Sequence, residues 1–180
     1  MRLPNWLFYQ RIGLFLYLAA GVLLLIYALG FVSNVYIFYA YGSNRLVEFY
    51  DEMQMVNDGL LWKAVIAISF AVVLFLLRLG KYPAGFVTLI ITAVIAAVSI
   101  WFCAGSIIEL FQARETYSGL DLNSLNRYIE RGAISYQYST LTYDLGLGGY
   151  LLFLLSSLFM AITVTRNAFA VRITEEGDNK

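Results

Sequence analysis

Residues 12–32 read IGLFLYLAAGVLLLIYALGFV, with neither a charge nor a proline. About 20 consecutive apolar residues are what a helix needs to cross the hydrocarbon of a bilayer. A buried helix of a soluble protein is the plain alternative for any single run of this kind. Three more runs follow: Gly59 to Leu77, broken only by Lys63 near its start, then Ala84 to Ile108, then Leu145 to Val164. Four such runs in 180 residues would need a large soluble shell, and the chain is 61% hydrophobic and only 13% charged. A soluble domain has roughly 45–50% and 25%. The sequence therefore predicts an all-α integral membrane protein, a bundle of four transmembrane helices formed by a single domain over residues 1–180.

The first run is longer than the 7–15 residues or so of a signal-peptide core, and no small-x-small cleavage site clearly follows it, so it is expected to stay as a span. Asn5, Trp6, Phe8, Tyr9 and Arg11 precede it as an interfacial collar. Arg2 and Arg11, Arg78 and Lys81, and Arg166 and Arg172 all flank the spans on one side. Arg45, Arg114, Arg127 and Arg131 lie on the other, spread over two longer loops rich in acids. The positive-inside bias then places both termini in the cytoplasm. Short flanks without sorting or glycosylation sequons suit a bacterial inner (plasma) membrane. Between spans two and three, Gly80 is a C-terminal cap and Pro83 opens the next helix near its first turn. The expectation is a tight antiparallel hairpin.

Both outer loops are expected to be structured. In residues 41–58, Leu46, Phe49, Tyr50, Met53 and Val56 form a helical stripe, with Ser43 or Asn44 as N-cap and Glu48, Asp51, Glu52 and Asp58 opposite. That pattern predicts a short amphipathic helix on the membrane surface or on the bundle. In residues 112–144, Asn123 or Ser124 starts a second short helix closed by Gly132, followed by a β-favouring run from Ile134 to Tyr143. Residues 166–180 read as a cytoplasmic tail. Val56 to Leu61 and Thr142 to Leu147 each place an Asp, Asp58 or Asp144, at the mouth of a return span. The echo reads either as a duplicated hairpin or as the ordinary preference of Asp for helix N-termini.

Composition removes most chemistry. Histidine is absent, and Cys103 is the one cysteine. No disulfide within the chain, zinc site built on histidine or several cysteines, or cysteine–histidine pair can be built, and no phosphate loop is present. Twelve basic and twelve acidic residues cancel, so no net field draws nucleic acid. Neither cofactor nor metal is expected, and an embedded enzyme would have to work through outer carboxylates such as Asp58 and Asp144.

Three groups of residues stand out. Thr88, Thr92, Ala96, Ser99, Cys103 and Ser106 recur at spacings of four or three, which puts them on one face of span three. Small and hydroxyl side chains there serve close helix packing or line a polar pore. Span four has a thinner version in Gly149, Ser156 and Thr163. Lys63 and Glu109 share the outer side and form an ion pair if their helices meet. Arg127, Tyr128, Arg131, Tyr136 and Tyr138 of the second loop, with Tyr117, Tyr143 and Arg114 nearby, are the side chains that interfaces enrich, and are expected to form a partner surface. The expected function is a non-enzymatic subunit supporting a larger membrane complex of transporter or respiratory type. The alternative is a small oligomeric transporter or channel with its path along span three. Expected partners are the lipid bilayer and other integral membrane subunits, or further copies of the chain.

Overall fold

The computed structural model describes residues 6–38, 44–77, 85–120 and 140–178. They form four helices: α1 Trp6–Phe38, α2 Asn44–Leu76, α3 Phe86–Ser118 and α4 Leu141–Asp178, with no strand among the described residues. Each holds a window long and apolar enough to cross a bilayer, within Trp6–Phe31, Asp51–Leu76, Phe86–Ser118 and Leu141–Phe169. The described residues are all-helical, and four helices of this length and apolarity are those of an integral membrane protein. Its lower end is where α1 begins and α2 ends; its upper end is where α1 ends and α4 begins.

The helices are longer than the hydrocarbon of a bilayer is thick. At 33 residues, α1, α2 and α3 each measure about 50 Å, against about 30 Å of hydrocarbon. Exposed large apolar side chains such as Phe15, Ile26, Val94, Trp101, Leu155 and Ile162 clothe the outside. In water they would be a fault; against lipid tails they are the solvated state.

This length corrects the loop assignments. Residues 44–58 are not a separate surface helix but the first turns of α2, which runs unbroken into the span. Phe49 and Met53 of the predicted stripe are buried against the bundle, while Glu48, Asp51, Glu52 and Asp58 are exposed. The lone Gly59 does not interrupt the helix. A glycine costs about 1 kcal/mol in a helix, less than burying two large side chains contributes. The second loop is likewise shorter than 112–144, because α3 continues to Ser118 and α4 starts at Leu141. The end of the β-favouring run, Leu141 to Tyr143, is thus the first turn of α4. The stretch from 166 to 178 is helix rather than free tail. Ser43, Gly80, Pro83, Asn123, Ser124 and Gly132 lie outside the described residues.

The echo between the halves does not carry over into geometry. Asp144 lies in the first turn of α4, whereas Asp58 sits inside α2, about four turns from Asn44.

Chain neighbours are not the closest packing neighbours. α1 packs most extensively on α4 and on α2, α3 packs on α4, and α2 meets α3 least. The expected tight hairpin of spans two and three is therefore the loosest contact in the bundle; residues 78–84 between them lie outside the described residues. The reason is the distribution of small residues. A Cβ built on Gly13 would sit 3.1 Å from both the Met160 Cα and the Thr163 Oγ1, and one on Gly21 3.8 Å from the Ala67 Cβ. α2 turns Ala64, Ala67 and Ala71, all fully buried, inward. In lipid, helices associate where backbones approach closely enough to gain dispersion contacts, because the tails are as apolar as leucine.

Four rings close the upper end, one from each helix. Phe31 lies 6.1 Å from Tyr143, Tyr143 5.3 Å from Tyr117, and Tyr117 6.0 Å from Phe49 between ring centroids. All are buried. Tyr117 and Tyr143 are thus core residues of the bundle and not part of an exposed partner surface.

Candidate functional site

The polar stripe of α3 faces inward. Thr92, Ala96, Ser99, Cys103 and Ser106 are buried, and Thr88 at the lower end of the row is half-buried. The α3 hydroxyls first satisfy their own helix: Thr92 Oγ1 donates to the Thr88 carbonyl at 2.8 Å and Ser99 Oγ to that of Ile95 at 2.8 Å. An unpaired hydroxyl in hydrocarbon costs several kcal/mol, and the carbonyl one turn back is always within reach. The same device serves α4, where Ser156, Ser157 and Thr163 donate to the carbonyls of Leu152, Phe153 and Phe159. Gly149 of that row receives the Leu24 side chain of α1.

Beyond their own carbonyls, two of the α3 hydroxyls reach other helices. The Tyr17 hydroxyl of α1 crosses the bundle to Ser99 Oγ, 2.9 Å away. Tyr17 is fully buried and its ring packs on Phe153 of α4 at 4.9 Å between centroids. Two turns above, Ser106 Oγ accepts from Lys63 Nζ at 3.0 Å, and Tyr150 of α4 is fully buried. Lys63 Nζ also donates to Glu109 Oε2 at 2.8 Å. The structure thus brings Lys63 and Glu109 together where α2 and α3 meet. Their side chains are 20% and 43% exposed, so the pair opens onto the seam between these two loosely packed helices.

The pairing has a clear physical cause. An isolated lysine at the centre of a membrane helix costs about 2.5–3.5 kcal/mol on insertion scales. Two acceptors within hydrogen-bond distance, Ser106 Oγ and Glu109 Oε2, lower that cost. Cys103 lies fully buried between Ser99 and Ser106 on the stripe. It is placed for packing, with no contact to the outside.

Two further polar pairs join helix ends. At the upper end, Arg114 Nε donates to Asp144 Oδ1 at 2.7 Å and Thr140 Oγ1 to Asp144 Oδ2 at 2.8 Å. Asp144 therefore ties α3 to the start of α4. At the lower end, Asn167 Nδ2 donates to Gln10 Oε1 at 2.6 Å inside the bundle, and the Arg166 guanidinium lies 5.9 Å from the centroid of the Trp6 ring. Among the described residues, the Tyr27 hydroxyl and Asn57 Oδ1 are buried without a hydrogen-bond partner.

Sequence reading misses Tyr17, Tyr150, Gln10 and Asn167. A signal exists for the tyrosines. Tyr prefers the interface, so one deep in an apolar run points to a partner for its hydroxyl. Gln10 and Asn167 lie in the flanks, where polar residues are ordinary. Arg127, Tyr128, Arg131, Tyr136 and Tyr138 lie outside the described residues. Among the described residues, no group of three or more His, Cys, Asp or Glu side chains is placed to hold a metal ion.

No family model, curated protein or solved structure matches this chain.

Proposed function

We propose that the chain is a non-enzymatic membrane subunit that packs against and supports a larger membrane complex, of transporter or respiratory type. The observation that carries this reading is the engagement of the α3 stripe. Its hydroxyls hold their own carbonyls, Tyr17 and Lys63, which is the arrangement of a solid helix contact. The loosest contact, between α2 and α3, then offers the seam into which a neighbouring membrane helix would fit. Exposed Arg11 and Arg166 at the lower end, against exposed Glu48, Asp51, Glu52, Asp58 and Glu115 toward the upper end, support a lower end in the cytoplasm. On this reading both termini are cytoplasmic, the membrane is a bacterial plasma membrane, and the second outer loop carries the partner surface.

Gentle detergent extraction, crosslinking and mass spectrometry of the copurifying chains test the proposal. A defined set of membrane proteins recovered in fixed proportion supports it. Recovery as a lone monomer under crosslinking overturns it.

A second reading, a small oligomeric transporter or channel, draws on one observation: Tyr17, Ser99, Ser106, Lys63 and Glu109 form a polar line up the inside of α3. Single cysteines at Thr92 and Ser99, in a Cys103→Ala background, separate the two. Reaction of both with a water-soluble thiol reagent favours a wet path. Protection of both favours the packed subunit.

A further inference from the structure

At the lower end of α4, an apolar groove of about 420 Å³ is lined by Ala161, Ile162, Thr165 and Arg166. We propose that this groove binds an anionic phospholipid of the leaflet at the lower end, with one acyl chain against Ala161 and Ile162 and the headgroup phosphate on Arg166. The proposal is independent of the subunit reading.

The groove has the polarity of a lipid along a single axis. Arg166 and Trp6 stand at one level, and a helix turn of about 5.4 Å separates them from Ala161 and Ile162 deeper in the span. The small Ala161 between the exposed Leu158 and Ile162 leaves the hollow. Thr165 is not the polar recognition group, because its hydroxyl proton goes to the Ala161 carbonyl at 2.8 Å. Arg166 is the donor that remains, and a guanidinium matches phosphate oxygens in bidentate fashion. Its position is set in advance. The Trp6 ring lies within the distance at which a cation over an aromatic face is held, so little side-chain freedom is lost on binding.

Charge selects the headgroup. Arg11 and Arg166 are exposed at this end, and no acid has a described side chain there. Glu175 and Glu176 come more than two turns beyond Arg166 along α4. A phosphatidylcholine phosphate carries its own compensating ammonium; a phosphatidylglycerol phosphate does not, and gains more from the guanidinium. A basic residue near an anionic membrane surface is worth roughly 1 kcal/mol, which is about a fivefold preference.

The test is native mass spectrometry of the whole chain released from nanodiscs holding phosphatidylglycerol and phosphatidylcholine in equal amounts. The expected result is that the retained lipid favours phosphatidylglycerol about fivefold. Arg166→Gln abolishes that preference, and Trp6→Leu reduces it. Arg11→Gln, outside the groove, leaves it in place. Ile162→Trp fills the hollow and lowers retention although the arginine remains. Equal retention of both lipids by the unaltered protein overturns the proposal. So does an equal loss in Arg11→Gln and Arg166→Gln, which would mean a diffuse basic surface. Unchanged retention in Ile162→Trp, or displacement by soluble glycerol phosphate, would mean a headgroup site without an acyl groove, and this also overturns it. Arg166 and Ile162 are exposed, so these variants leave the buried packing intact.

Discussion

Between α1 and α2 the contact is built on Gly21, Ala64, Ala67 and Ala71, which have no polar side-chain atom between them. On the other side of the bundle, α3 turns inward a face of the same slimness, carrying Thr92, Ser99, Cys103 and Ser106. Both faces let backbones approach. The first does so with dispersion alone. The second adds hydrogen bonds to Tyr17 and Lys63, and obliges every hydroxyl to find a partner. In lipid, then, steric fit by itself is enough to hold two helices, and polar groups add a directional bond that fixes which helix is met and at what height.

The sharpest way to break the comparison is to spoil the dry face. Ala67→Leu adds bulk where a Cβ built on Gly21 of α1 would already lie 3.8 Å from the Ala67 Cβ. Overpacking costs about 1–3 kcal/mol, and more where backbone is the obstacle. A large drop in the midpoint of denaturant-induced unfolding in micelles is expected. A neutral result would mean that α1 and α2 have room to separate.

On the polar face the largest effect belongs to the ion pair. Glu109→Gln leaves the Lys63 ammonium with Ser106 and a neutral amide in a partly desolvated seam. The expected loss is about 1.5 kcal/mol, at the low end for charged hydrogen bonds because the pair is partly exposed. The double change Lys63→Met with Glu109→Leu should recover much of it, since two apolar groups leave no charge unpaired. If the double variant is no better than the single one, the pair has a role beyond balancing its own charges.

Tyr17→Phe removes one interhelical hydrogen bond while Ser99 keeps the Ile95 carbonyl. Such bonds average about 0.6 kcal/mol in membranes, so the loss should be smaller than for either change above. A cost beyond about 2 kcal/mol would show that the bond organises more than its two residues. The smallest effect concerns Cys103, which is fully buried. Its labelling by a water-soluble maleimide should be negligible in the folded protein and complete in denaturant. Fast labelling under native conditions would mean that water enters the polar face, and would move the balance toward the transporter reading.

Much of the polar face is legible in residue order, because hydroxyls at helical spacing stand out in an apolar run. The dry face is not. Alanine and glycine suit lipid, core or interface equally, so Ala64, Ala67 and Ala71 carry no mark of which they face. Residue order sets Tyr117 and Tyr143 beside the expected partner surface and not in a buried cluster, since their helices come together only in the bundle. The first loop misleads for a related reason. Its stripe at Phe49 and Met53 is visible, but nothing local says whether such a helix stops at the membrane or continues into it.

Bilayer thickness and the helical repeat convert residue counts and spacings directly into the number of helices, their apolar lengths and the inward row on α3, so these are properties of the sequence. It takes the folded bundle to place α1 between α2 and α4, to leave α2 and α3 barely touching, and to bond Gln10 to Asn167 far along the chain. In hydrocarbon no solvent force ranks one apolar helix face over another. The ranking comes from how closely particular backbones can approach and which polar atoms then fall within reach, and both exist only once the helices are side by side.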